Sequence, residues 1–325
     1  MHMKKLLILI IFSITGLYAQ AGKMDESGFR VFGGLYSGSY ESDIEKKLQR
    51  DSLLSGVLET KWENKYGTGL SLGGQYFWKN QLGPFSGLIF SLQSEGTTGS
   101  FTSNTISSAY LGSNAYNGSV GRGDLSFGGV LNPAENWRIT PRIGNRSITQ
   151  SLEGSGSGIY SGGYLGFGGS SITSKGSSGY LGVFVEYDVK PSITLYLDSI
   201  LLSPFLFQNA GEFSGSATSI LTASNGYALG VTGASGAYST KFNRFVLGSS
   251  FELDPKSKIF VQIENETIRT KVGDSAAFSL LSVSVSGSTA SALDFTSSTF
   301  YSILSNSSSQ SLALNGLKVG YSYSF

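Results

Sequence analysis

Read backwards from its end, the chain alternates. Residues 315 to 325, NGLKVGYSYSF, put Leu317, Val319, Tyr321, Tyr323 and Phe325 on one side. The other side holds Gly316, Lys318, Gly320, Ser322 and Ser324. Period two predicts a β-strand with one apolar, aromatic face and one small or polar face. The pattern recurs upstream. Leu181, Val183, Val185 and Tyr187 oppose Gly182, Phe184, Glu186 and Asp188. Ile193, Leu195 and Leu197 oppose Thr194, Tyr196 and Asp198. Ile259, Val261 and Ile263 oppose Lys258, Gln262, Glu264 and Glu266, with Phe260 as the exception. Trp137, Ile139 and Ile143 oppose Arg138, Thr140, Arg142 and Arg146, and Leu70, Leu72, Tyr76 and Trp78 oppose Ser71, Gly73 and Gln75. Segments 85–93, 122–131 and 242–253 fit less cleanly.

Short turn signals join these strands in pairs: KNQLGP at 79–84, NPAEN at 132–136, DVKPS at 188–192 and LDPKS at 253–257. Proline cannot donate to a strand ladder, so it belongs at such ends. Long Ser/Gly/Thr-rich stretches separate the pairs at 95–120, 147–177, 203–240 and 270–311. Four turns and a terminal strand imply nine strands. An even number needs one more, at 28–38 or 53–62; if both are strands, a further one in a loop gives twelve. Residues 22–52 form an N-terminal segment whose charged part, ESDIEKKLQRD at 41–51, suits a short helix.

Composition narrows the setting. Met1–Lys5 is short and basic, Leu6–Phe12 is apolar, and Ala19-Gln20-Ala21 offers a small-residue cleavage site. This reads as a secretory signal peptide over 1–21, too short to span a bilayer. Losing Lys4 and Lys5 lowers the basic count from 23 to 21 against 22 acidic residues, a net charge of −1. Such a balance gives no footprint for nucleic acid. Charged residues are 14% and aromatics 13%. A soluble domain carries about 25% charged residues. No segment after residue 21 holds about 18 uncharged apolar residues, which excludes a helical membrane protein. In hydrocarbon, strands must close into a ring to pair every peptide group. The expected fold is therefore all-β: an antiparallel transmembrane barrel of 10–12 strands over 53–325, with short periplasmic turns and long external loops. A β-sandwich would explain the alternation, but not the loop asymmetry or the aromatics Trp78, Phe85, Trp137, Tyr187, Phe251 and Phe325 beside the short turns.

The terminal strand with its final Phe325 resembles the sorting signal of bacterial outer-membrane β-barrel proteins of porin-like type. The resemblance implies that barrel-assembly machinery reads Leu317, Val319, Tyr321, Tyr323 and Phe325, that the chain resides in the bacterial outer membrane, and that outer-membrane lipid surrounds it. The Ser/Gly-rich loops are similar to those of spirochaetal surface proteins.

Barrel enzymes of this size resemble each other in using a histidine base. Here the one histidine, His2, lies in the leader, and there is no cysteine. No catalytic residue, cofactor or metal is expected. Arg138, Arg142 and Arg146 share one face and form a cationic stripe, either for anion selection or paired with Glu186, Asp188 and Asp124. Glu264 and Glu266 with Lys258 and Gln262 form a second polar stripe. With Glu186 and Asp198 these are the candidate lumen residues. Glycine strings at 154–169 precede no helix, so phosphate binding is excluded. Arg122-Gly123-Asp124 would be a receptor-binding tripeptide only at a loop tip; a strand start is the expectation. The functional expectation is passive, porin-like permeation of small polar solutes. The alternative is a plugged barrel displaying loops 203–240 and 270–311, with Phe205, Phe207, Phe278 and Phe300, to partners.

Overall fold

The computed structural model describes residues 27–42, 57–64, 67–107, 110–160, 164–205, 210–223, 226–283 and 310–325. The leader expected at 1–21 and residues 43–51 of the charged segment lie outside them. The elements are β1 (Gly28–Ser42), β2 (Val57–Asn64), β3 (Gly67–Leu82), β4 (Phe85–Ser107), β5 (Tyr110–Ala134), β6 (Trp137–Tyr160), β7 (Tyr164–Lys190), β8 (Ile193–Leu202), β9 (Ala210–Ala223), β10 (Gly226–Asp254), β11 (Ser257–Val283) and β12 (Gln310–Ser324).

Every pairing is antiparallel, and the sheet closes on itself. Neighbours follow chain order from β3 to β7, then pass through β8 and β9 to β10, β11 and β12. β12 pairs with β1 from Arg30↔Ser324 to Ser42↔Leu312, and β1 pairs with β3. β2 and β3 both pair with β4, at Phe101–Ser107 and at Phe85–Thr98, so they are two segments of one stave. β8 and β9 likewise share the place between β7 and β10. Twelve segments thus build ten staves. Both candidate N-terminal strands exist, but only β1 adds a stave. The barrel begins at Gly28, ahead of the boundary placed at residue 53.

The short turns sit at one end, where local chemistry stops the strands. Gly83 takes φ +60° between β3 and β4, a conformation glycine adopts without steric cost. Asp254 accepts the Lys256 backbone N–H at 2.8 Å between β10 and β11. That bond holds its carboxyl below the ordinary carboxylate range. The long connections lie at the other end, but most of their residues are strand, not irregular coil. β5, β6, β7, β10 and β11 run 24 to 29 residues. Ser, Gly and Thr there look like loop composition, yet continuous pairing is available once neighbouring strands rise together.

The polarity of the two faces reverses partway up, while the parity of inward and outward positions stays the same. Near the turns the outside is apolar: Leu72, Leu92, Leu125, Leu247, Ile263 and Leu317 are 47–69% exposed. This belt meets lipid. Asn145, Asn243, Asn265 and Asn315 face outward just above it, and Asn265 and Asn315 bond across β11 and β12. Beyond them the outside is mostly Ser, Thr and charge, with a group of exposed apolar residues farther up on β5, β6, β7 and β9, while the inside turns apolar. Val120, Ile148, Tyr180, Ile200, Phe242, Ile268, Leu312 and Leu314 pack there with almost no exposure. The expected polar lining is therefore confined to part of the bore. Above the belt water lies outside, so the closed sheet fills its interior as a soluble barrel does. A second apolar group, Phe77, Ile89 and Val130, lies near the turn end, and Phe260, the exception to the alternation, also points inward.

The belt sets a depth test. Val261→Arg, in the middle of the apolar run on β11, is expected to cost about 2–4 kcal/mol of folding stability in lipid vesicles, and Thr267→Arg about 0–1 kcal/mol. Urea titrations of folding into vesicles measure both.

Candidate functional site

The site is the band where the interior changes from polar to apolar. Alternation sends Glu95 of β4, Arg122 and Asp124 of β5, Arg142 and Arg146 of β6, Asp198 of β8, Arg244 of β10, Glu264 and Glu266 of β11 and Lys318 of β12 into the bore. Most of these side chains are fully buried, and Arg142 and Asp198 are 12% exposed. Five cations face five carboxylates. Stranding any of these charges alone in the interior would be prohibitive, so the cluster is held by mutual neutralisation.

Its contacts run across the whole bore. Arg122 Nη1 donates to Glu264 Oε1 at 2.9 Å and Glu266 Oε2 at 2.7 Å. Arg146 holds Glu266 from two nitrogens, at 2.5 and 2.7 Å, and reaches Asp124 at 3.3 Å. Arg244 bridges Glu264 at 3.0 Å and Asp198 at 2.8 Å. Arg142 pairs with Asp198, and Lys318 pairs with Glu95. Two tyrosines tie the cluster to the wall. Tyr180 donates to Asp124 at 2.8 Å and lies 5.7 Å from the Arg142 guanidinium. Tyr36 lies 5.4 Å from that of Arg122. Glycine makes room for the rings: a Cβ on Gly144 would stand 2.6 Å from Tyr180, and one on Gly316 2.5 Å from Tyr36.

A smaller cluster lies toward the turns. Arg138 donates to Glu186 and to both oxygens of Asp188, each at 3.0 Å, and Thr194 donates to Asp188 at 2.7 Å. Lys258 stands 3.9 Å from Glu252. These groups are partly exposed.

All eight candidate lumen residues point inward, but not as two stripes. Arg138 and Glu186 belong to the turn-side cluster, and so does Lys258, away from Glu264 and Glu266. Arg142, Arg146, Asp198, Glu264 and Glu266 belong to the central one. Glu95 and Arg244 were not singled out from the sequence. Arg244 sits between Phe242 and Val246 on one face, so apolar neighbours mask it. Arg122-Gly123-Asp124 is no receptor motif. It lies mid-strand, with Arg122 2% and Asp124 7% exposed. Of the C-terminal residues, Leu317, Val319 and Tyr321 face lipid, while Tyr323 and Phe29 cluster with Phe325, at ring distances of 5.0 and 6.2 Å. Trp137 and Tyr187 stack at 4.8 Å beside the turn end.

A closed antiparallel ring with an outward apolar belt and short turns at one end is an outer-membrane β-barrel. No protein-family description matches the chain, and no curated protein matches its sequence. Solved structures resemble it in part. The outer membrane protease OmpT from Escherichia coli is 12% identical, with 91% of this chain and 97% of that chain covered and a TM-score of 0.46. The toluene transporter TodX from Pseudomonas putida is 11% identical, covering 94% and 90%, with a TM-score of 0.29. The outer membrane protein OprG from Pseudomonas aeruginosa is 9% identical, covering 92% and 96%, with a TM-score of 0.19. The ring and its belt, not these likenesses, define the class.

Burial separates the two charge clusters energetically. Arg146→Met, which strands Glu266 and Asp124, is expected to destabilise the folded barrel by about 3–5 kcal/mol. Arg138→Met, in the partly exposed cluster, is expected to cost about 0–1 kcal/mol. Urea unfolding from vesicles compares them, and equal losses would contradict the assigned difference.

Proposed function

We infer that this protein is a closed barrel of the outer membrane whose work is done by its outward half, as a surface-exposed structural or interaction protein. The observation that carries the reading is the ionic cluster. It spans the bore with paired, buried side chains, and an apolar layer lies on top of it. The outward half offers contact area. Leu111, Ile159, Leu165, Phe167 and Ile220 are 41–54% exposed and adjoin one another across β5, β6, β7 and β9. They stand beyond the polar stretch Ser147–Glu153, far from the lipid belt. Of the expected contact residues, Phe207 and Phe300 lie outside the described residues; Ile220 falls within the expected stretch 203–240, and Leu111, Ile159, Leu165 and Phe167 add surface from β5, β6 and β7.

A passive conduit for small polar solutes is the second reading. One observation favours it. Glu95 Oε2, Arg122 Nε and Glu264 Oε2 are buried without a hydrogen-bond partner, and such atoms usually hold water. Catalysis is the third reading: with one histidine, at position 2, and no cysteine, it would need a carboxylate or lysine base.

Single-channel recording in planar bilayers tests the choice. Folded wild-type protein is expected to be silent. Arg122→Ala combined with Glu264→Ala, which truncates one ion pair without changing net charge, is expected to give stepwise currents. Steps of similar size from the wild type would establish the conduit instead.

The C-terminal strand carries a separate proposal, recognition by barrel-assembly machinery through Leu317, Val319, Tyr321, Tyr323 and Phe325. Phe325→Ala is expected to lower the amount of folded protein in the outer membrane severalfold while purified protein still refolds in detergent. Unchanged assembly in cells would refute it.

A further inference from the structure

Among the described residues the inward charges are largely paired, whereas one outward group gathers three cations side by side. Lys241 on β10 and Arg269 on β11 are direct cross-strand partners, and Lys271 follows two residues after Arg269. All three are exposed and face outward. Directly opposed side chains have Cβ atoms about 5 Å apart, and diagonal ones about 7–8 Å. Three like charges therefore stand within one small patch. Like charges directly opposite each other destabilise a sheet unless an anion joins them. Among the residues whose side chains are described, no such carboxylate faces the patch. Glu264 and Glu266 of β11 point into the bore and are consumed by the ionic cluster. Among the described residues on the neighbouring outer wall, Glu212 stands level with Ala237 and opposite Lys175, higher on the barrel. On the other side Arg269 is paired with Ser311 of β12.

Depth identifies the anion. Descending β10 from Lys241, the outward positions are Asn243, Phe245 and Leu247; descending β11 from Arg269, they are Thr267, Asn265 and Ile263. Charge gives way to amide and hydroxyl, then to the apolar belt. Four residues separate Lys241 from Phe245, about 13 Å along the strand and about 10 Å along the membrane normal at the usual tilt. The headgroup layer extends about 5–8 Å beyond the hydrocarbon. Lysine and arginine stems are long enough to bend back into it. Arginine also matches phosphate with two parallel donors.

We propose that Lys241, Arg269 and Lys271 bind the phosphate of an outer-leaflet lipid headgroup. The site uses the barrel's outer wall and is independent of whether the bore conducts. Native mass spectrometry of the full folded protein in neutral detergent tests it, with dioleoylphosphatidic acid, dioleoylphosphatidylcholine and inorganic phosphate as probes. The wild type is expected to retain phosphatidic acid in preference to phosphatidylcholine. Replacing all three residues by serine is expected to weaken that retention about tenfold or more. The same replacement of Lys79, Lys190 and Lys256, at the turn end, is expected to leave it unchanged. Equal loss in both triple variants would reduce the effect to net charge and overturn the site. Displacement of the lipid by inorganic phosphate alone would show a free-anion site and overturn the assignment to lipid. The variants alter exposed side chains only, and an unchanged heat-dependent gel shift verifies that each is folded.

Discussion

The structure depends on one seam, the pairing of β1 with β12. Without it the first and last strands would each present a row of bare N–H and C=O groups. In hydrocarbon no water is available to satisfy them, and each would cost several kcal/mol. With it the sheet has no edge, and every other property becomes a question of which side chain points where. The seam also explains why the C-terminal strand is so regular. It is bonded on both sides, to β1 and to β11, and every outward residue from Leu317 to Tyr323 is apolar.

Closure makes an inside and an outside, but it does not fix their polarity. Solvent does. Next to lipid the outer face must be apolar, and the enclosed face can be polar. Above lipid both demands reverse. The strands pass through both regimes without a break, so each changes its pattern along its length. β11 shows this in one line: Ile259, Val261 and Ile263 outward, Glu264 and Glu266 inward, then Ile268 inward with Thr267 and Arg269 outward. The charge cluster occupies the changeover. It caps the polar bore from above and the apolar upper core from below, and mutual neutralisation lets charged groups sit where neither solvent reaches.

Much of this was legible in the residues. The alternation at 315–325, the four short turns and the aromatics beside them lead to a barrel of about ten strands with the right end facing the short turns. The candidate lumen residues follow from parity alone, because the side-chain period of a strand is two. What parity cannot supply is neighbourhood. Arg138, Arg142 and Arg146 look like one stripe, yet they engage different partners, because those partners arrive from β5, β7, β8 and β11. Arg244 and Glu95 were hidden for a related reason: on strands where the pattern inverts, apolar residues occur on both faces and the alternation blurs. The Ser/Gly-rich stretches read as loops because they lack large apolar side chains. Their pairing comes from adjacent strands of matching length, which no single stretch reveals.

The inversion also restricts how such a chain can drift in evolution. An odd number of residues gained or lost within a strand above the lipid belt would swap its two faces, exposing the upper core's greasy residues and burying its hydroxyls. Paired insertions, made in step on neighbouring strands, only raise the rim. Divergent descendants of this barrel should accordingly differ in height by even increments, while the level of the charge cluster stays where the lipid ends.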